Sequence, residues 1–372
     1  MCLAPHRWCA AAVTRPEKRF ALEKRAAKGS LVHVPLLNII LVSAVTSKLS
    51  MISVLQTGAR WAVLGGLAGA IGVVVGVVGA PLHWSFDLLG QFLLPAFAVA
   101  LVIVPIAAFA RWPAVAGAAA LVAIAAYALA RPSITPPEPV ASDVPRFRVL
   151  LFNMWFGNKR LPDVAQLIKR EDADLVVILE SSVRARNALK AVTNVYPYRF
   201  DCTASGCDVI MFSRARLLPQ TIARTSDVNR SPYVTVGTDI AGCRLTLIAT
   251  HMTRPFPNRP YGSQREQAWE IGGVVGSIAG AKLVLGDFNA APWGYVIQTI
   301  AQRNGLSVLT GGGGTWPSVL PSQLRIPIDN MMASEGLSFV SRRVLPKMGS
   351  DHLPVLGEIA VSDPTKCRPN AF

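Results

Sequence analysis

The stretch KLVLGDFNAAP, residues 282–292, decides the fold. Its first half, Lys282 to Phe288, is a short apolar run of the length and composition of a buried strand. Polar residues then arrive together: Asp287 and Asn289, with Gly286 before them and Pro292 closing the segment. A strand that ends in a carboxylate and an amide delivers both groups to one edge of a sheet.

The same arrangement recurs on either side. FRVLLFN (147–153), DLVVILE (174–180) and RLTLIATH (244–251) read as strands that end in Asn153, Glu180 and His251. GSDHLPV (349–355) places Asp351 and His352 just before the strand VLGEIAV (355–361). DVIMFS (208–213) and YVTVGTD (233–239) supply two further strands. Between them, LPDVAQLIKRE (161–171) and the segment from Ser263 to about Gly280 carry helical periodicity. Ser263 followed by Glu266 is a capping-box start for the second. No internal repeat is present. One polar group at a strand end is usually a turn or cap residue. A whole series at the same kind of position points to a site along one sheet edge.

The chain before this region has another character. Residues 61–80, 88–110 and 113–130 are three apolar runs approaching the ~20 residues that a bilayer requires. Asp87 and Arg111 are the only charged residues between 61 and 130. Trp61, Trp84 and Trp112 stand at the ends of the runs, where interfacial aromatics belong. Residues 31–47 are apolar but interrupted by His33, Pro35 and Asn38, too short and polar to be read as a span. The expected organisation is a basic cytoplasmic tail over 1–60, three transmembrane helices over 61–130, a linker over 131–145, a catalytic domain over 146–362 and a tail over 363–372. Met51 stands as an alternative start. The linker holds five prolines and reads as an extended, semi-rigid spacer that keeps the domain off the membrane surface. Basic residues precede the first run, and the loop 81–87 has no Lys or Arg. The positive-inside rule then puts the N-terminus in the cytoplasm and the domain outside it. A fourth span over 31–47 would reverse this.

Net charge is +15 over 372 residues. From Arg146 onward, 26 Lys and Arg face 17 Asp and Glu, a surplus of +9. Such a balance suits anionic partners: nucleic acid, phosphorylated metabolites or acidic lipid. Of six cysteines, Cys202, Cys207, Cys243 and Cys367 lie in the second region and match no zinc spacing. Cys202 and Cys207 are close enough to bridge a short turn, and an oxidising compartment would favour disulfides. Gly311–Gly314 is no P-loop, because no Lys-Ser/Thr follows; a substrate loop and a plain connector both stand open. Asp227, Glu335 and Asp363 fall in no motif and read as solvated.

Taken in order, FNMWFGN, VILES, ATHMTRP, LGDFNAAP, IDNMMAS and GSDHLPV resemble the motifs of the endonuclease/exonuclease/phosphatase superfamily. The resemblance spans about residues 146–362. It implies an α/β fold, a four-layer α/β/β/α sandwich with two central mixed sheets, here preceded by an all-α transmembrane region. It implies Mg²⁺, with Mn²⁺ as alternative. Glu180 would be the principal metal carboxylate, supported by Asn153, with Asp351 beside the metal. Asp287 would orient the attacking water and Asn289 would hold a phosphate oxygen. His352 would contact the phosphate or act as base, with Asp329 setting its tautomer. His251 would protonate the leaving group. Arg254, Arg259 and Arg265 either bind a second phosphate or acidic headgroup, or belong to a solvated loop.

The resemblance implies hydrolysis of a phosphate ester. A few spans followed by this domain also resemble VanJ-type bacterial membrane proteins, which implies a polyprenyl pyrophosphate or related lipid phosphate at the outer face. An anchored nuclease on DNA or RNA is the alternative. A non-catalytic scaffold is the third reading, opposed by the full set of polar residues. Membrane lipids are the other expected partner, and no obligate protein partner is implied.

Overall fold

The computed structural model describes residues 36–202, 205, 207–223, 233–255 and 263–367, with side chains from Val54 onward except at 222 and 223. The chain divides into two units, Met1–Gly58 and Ala59–Phe372. In the first, the described residues belong to helix α1 (Leu36–Gly79). Residues 36–58, expected as part of the tail, are therefore helical; no proline or glycine interrupts 36–57. The tail before Leu36 lies outside the described residues.

The second unit opens with the rest of α1, followed by α2 (Trp84–Gly90), α3 (Leu93–Phe109) and α4 (Pro113–Ile134). Two segments, Val54–Gly79 and Pro113–Ile134, are long and apolar enough to cross a membrane. The expected middle span is two helices, α2 and α3, bent by 56° at residues 91–92, and the pair counts as a third span only if taken together. The break has a chemical cause. Asp87 and Gln91 are polar groups in an apolar run, and such groups need partners. Here they bond to the α/β region that follows, as described below.

The remainder is a layered α/β sandwich. Its elements are β1 (Arg146–Asn153), α5 (Leu161–Glu171), β2 (Leu175–Leu179), α6 (Val183–Ala188), β3 (Tyr198–Asp201), β4 (Ile210–Ser213), β5 (Leu217–Ala223) and β6 (Tyr233–Ile240). Then come β7 (Cys243–His251), α7 (Gln264–Ser277), β8 (Ala281–Asp287), α8 (Tyr295–Arg303), β9 (Ser307–Val308), β10 (Asp329–Ala333), β11 (Leu337–Val344) and β12 (Val355–Val361). One six-stranded sheet runs β11-β12-β1-β2-β4-β3 and the other β5-β6-β7-β8-β10-β9. Both are mixed: β1–β2 and β7–β8 are parallel, and the other pairs are antiparallel.

The alternation within each strand builds the layers. Val149 and Leu151 of β1 face Leu283 and Leu285 of β8 between the sheets. Leu150 and Phe152 point the other way, onto α5 residues Leu167 and Ile168. Val284 and Ile248 likewise meet Ile271 of α7 and Ile297 of α8. Strands buried on both faces read as continuous apolar runs, as 282–285 does. Burying each such side chain contributes about 1.5–3 kcal/mol. Ser263 caps α7 with the reciprocal Glu266 bonds expected of it.

Disulfides join Cys202 to Cys207 and Cys243 to Cys367. Helix α4 runs to Ile134, into the expected spacer. Ser133 accepts from Gly311 N (3.0 Å), and Thr135 O accepts from Thr310 Oγ1 (2.6 Å). These bonds seat it on the sandwich. Arg342 donates to Gly311 O (2.6 Å) and Gly313 O (2.7 Å) and so braces the glycine run.

Candidate active site

The topology brings one set of strand ends together. Parallel β1 and β2 exit at the same edge, where Asn153 ends β1 and Glu180 follows β2. Antiparallel β4 and β12 begin at that edge, just after Asp208 and His352. In the second sheet His251 and Asp287 are paired at the ends of β7 and β8, and Asp329, the first residue of β10, pairs with Asp287.

Asn153 stands at the centre. Its Nδ2 donates to Glu180 Oε1 and to Asp287 Oδ2, both at 3.0 Å, and its Oδ1 accepts from Trp155 N at 3.2 Å. It therefore links the two carboxylates. Asp287 is fully buried, and its Oδ1 accepts from Asn289 N at 2.8 Å. Burial pushes the Asp287 carboxyl above its ordinary range, against the pull of His352 and His251.

Two carboxylate–imidazole pairs flank this centre. His251 Nδ1 lies 2.7 Å from Asp208 Oδ2, while its Nε2 faces Glu180 Oε1 at 3.6 Å and Asp287 Oδ2 at 3.7 Å. His352 Nδ1 lies 2.9 Å from Asp329 Oδ2, and its Nε2 faces Asp287 Oδ2 at 3.6 Å. Burial lowers both imidazoles, but the surrounding carboxylates outweigh it. His251 is pushed up to about 9, chiefly by Asp208, and His352 to about 10, chiefly by Asp329. Each ring turns Nδ1 to its aspartate, which leaves Nε2 facing the pocket.

The other expected residues fall as follows. Ser350 Oγ donates to Asn153 O (2.8 Å) and accepts from His352 N (3.0 Å), which fixes the loop carrying His352. Asp351 accepts from Trp316 Nε1 at 3.2 Å and thereby positions that indole. Asn289 Nδ2 donates to Met252 O (2.8 Å), and Gln264 of α7 holds the Asn289 carbonyl (2.9 Å). Asn330 braces the turn through Ala290 O and Pro327 O. Arg254 lines the pocket. Arg265 does not: it donates to Ala80 O (2.6 Å) and Pro81 O (2.8 Å) and stacks on Tyr295. Arg259 lies outside the described residues. Asp208 escaped the sequence reading, as did Leu88, Gln91, Phe92 and Trp316, which also line the pocket.

The donor set fits a hard divalent cation. Asn153 Nδ2 draws Glu180 Oε1 and Asp287 Oδ2 together, and Asp329 Oδ1 is buried without a partner. Asp287, Asp329 and His352 offer ligand atoms within 4.8 Å of one another. Oxygen donors of this kind suit Mg²⁺ or Mn²⁺. Since Asp329 Oδ2 and His352 Nδ1 already bind each other, the open oxygens lie on Glu180 and Asp287 and on Asp329 Oδ1.

The pocket around these groups has a volume of about 330 Å³, in the range of small-molecule sites. The family model described as "Endonuclease/Exonuclease/phosphatase family" matches residues 150–352, more than half of the chain. No curated protein matches the chain. Among solved structures, an endonuclease/exonuclease/phosphatase of Bacteroides vulgatus is 18% identical, covering 58% of this chain and 99% of its own, with a TM-score of 0.46. Sphingomyelinase C of Streptomyces griseocarneus is 15% identical over 57% and 99%, with a TM-score of 0.44. A Staphylococcus aureus beta toxin variant with bound magnesium ions is 15% identical over 57% and 98%, with a TM-score of 0.45.

Proposed function

Because this chain belongs to the endonuclease/exonuclease/phosphatase family, whose members are metal-dependent hydrolases of phosphate esters, we propose that it is a membrane-anchored phosphoesterase acting on a lipid-linked phosphate ester or pyrophosphate at the extracytoplasmic face. The observation that carries the reading is the pair of carboxylate–imidazole couples, Asp208–His251 and Asp329–His352. They flank two carboxylates joined by Asn153 in a single pocket.

Phosphoryl transfer asks mainly for charge stabilisation and in-line placement. Glu180, with Asp287 beside it, would hold a divalent cation, which neutralises charge on the phosphoryl oxygens. Asp287 accepts the proton of the attacking water; its raised affinity for protons suits a base. His352, cationic through Asp329, donates from Nε2 to a non-bridging oxygen. The second Nδ2 hydrogen of Asn289 serves another. His251, kept protonated by Asp208, delivers its Nε2 proton to the departing oxygen.

Two features support the location. Val54–Gly79 and Pro113–Ile134 have membrane-spanning length and composition, and two disulfides in the catalytic domain suit an oxidising compartment. With α2 and α3 as a third span, the basic N-terminal flank sits in the cytoplasm and the domain outside.

The test is phosphate release by the full-length protein in detergent from polyprenyl pyrophosphate, sphingomyelin, plasmid DNA and a generic diester, each with Mg²⁺ or EDTA. Mg²⁺-dependent release from the lipid pyrophosphate supports the reading. Nicking of the plasmid without lipid hydrolysis would replace it with an anchored nuclease.

A further inference from the structure

The sandwich does not form the active-site pocket alone. Opposite the catalytic groups stands an apolar wall with two sources. Leu88 and Phe92 come from the elbow between α2 and α3, and Trp316, Ile326 and Ile328 come from the segment before β10.

The elbow is fastened to the catalytic domain. Ala291 N donates to Gln91 Oε1 (2.5 Å), Tyr295 N to Asp87 Oδ1 (2.9 Å), and Trp293 Nε1 to Gly90 O (2.7 Å). The last bond gives a partner to a carbonyl at the helix break. Gly90 packs so close to Val77 of α1 that a Cβ there would lie 3.1 Å from its side chain. Leu88 and Phe92 are thus fixed parts of the pocket.

The opposing segment is held by paired bonds between Trp316 and Ile326 and by Asp351. It reaches the membrane-length helices: Leu324 lines a cleft with Gly66 of α1 and Val99, Val102 and Ile103 of α3. Val99, Val102 and Ile106 of α3 are exposed apolar residues, as are Val319 and Leu320 of the segment. One end of the pocket therefore holds the phosphate chemistry. The other is apolar and adjoins the helix faces that would meet lipid.

We propose that the elbow around Leu88 and Phe92 and the segment Trp316–Ile328 form a hydrocarbon subsite, through which a long-chain phosphate or pyrophosphate ester reaches the catalytic groups sideways from the bilayer. The proposal rests on the phosphoesterase reading and adds the substrate's tail. A nucleic acid has no alkyl chain to fill this wall. A tail that arrives from the bilayer leaves hydrocarbon rather than water, so the subsite binds it by close packing and holds the headgroup at the catalytic groups.

The test uses full-length protein in phosphatidylcholine nanodiscs with EDTA, so that binding is read without turnover. The probe is hexadecyl phosphate carrying a mid-chain diazirine, and the adducts are mapped by mass spectrometry. Adducts on residues 88–92 and 316–328, suppressed by Phe92→Ala, are the expected result. Adducts confined to the outer helix faces, or none, overturn the subsite. With Mg²⁺, Phe92→Ala and Ile328→Ala should each lower the ratio of kcat/KM for hexadecyl over butyl phosphate by about tenfold through the packing lost; an unchanged ratio overturns it too. Labelling in place with no hydrolysis of any substrate would uphold the subsite and contradict the phosphoesterase reading instead.

Discussion

Glu180 and Asn289 leave their strands with left-handed backbone, at φ 53° and 48°. Non-glycine residues held there cost about 1–3 kcal/mol each, and such strain gathers at functional sites. Here it turns a carboxylate and an amide into the same pocket. Asp208 is the residue whose contribution is easiest to isolate. Asp208→Asn keeps the shape but removes the charge that holds the His251 proton up to about 9. The alkaline limb of the kcat/KM profile should move to lower pH, and kcat should fall by roughly 10²-fold; an unmoved limb would remove His251 from the acid role. His352 gives a stability test. Its folded value of about 10 lies above the ordinary 6.5 of a histidine, so the folded state binds the proton more tightly. The stabilisation is complete below pH 6.5 and is lost as pH rises through about 10. In EDTA, the stability gap between wild type and His352→Asn should be widest in acid and close in alkali; a gap that widens with pH would refute the assignment. Glu180, His251 and Asp287 were legible because each ends its own strand. Asp208 was not. It precedes its strand, 43 residues from His251, and only the antiparallel β2–β4 pairing brings it to the site.

At the scale of elements, strands such as 147–153 and 282–288 were legible because both faces are buried and the run is apolar. Asp329–Ala333, equally buried, was not, since Asp329 and Asn330 open it. The strand Leu337–Val344 was not: its burial alternates irregularly and a bulge interrupts it between Phe339 and Ser341. Nor was α8, whose nine residues follow the site motif directly. The α2–α3 elbow was read as one straight span, because its partners lie some 200 residues away. Gly286 shows how close the elements approach. A side chain there would fall on the Thr250 backbone across the β7–β8 pair. Gly286→Ala should destabilise the domain by roughly 2 kcal/mol or more in a denaturant titration; a neutral result would show that the two strands can move apart.

At the scale of the molecule, three features act together: a carboxylate-rich centre, a disulfide-tied sandwich and apolar helices fastened to the pocket rim. The Cys243–Cys367 bond spans 124 residues. Replacing both cysteines by serine should remove about 2–4 kcal/mol of stability, seen as a lower melting temperature, whereas an unchanged one would show the bond is not needed. The carboxylates make a cation stabilising. Mg²⁺ at a hundred times its dissociation constant should add about 2.7 kcal/mol, and Glu180→Gln should abolish that shift. A full shift in the variant would move the cation elsewhere.

The most direct test of the central claim is phosphate release from polyprenyl pyrophosphate by the full-length protein in detergent with Mg²⁺, beside EDTA and Glu180→Gln. Release with Mg²⁺ that falls by roughly 10²–10³-fold in the variant and stops in EDTA is the predicted result. Release that persists in EDTA or in Glu180→Gln, or none from this lipid while plasmid DNA is cut, would contradict it.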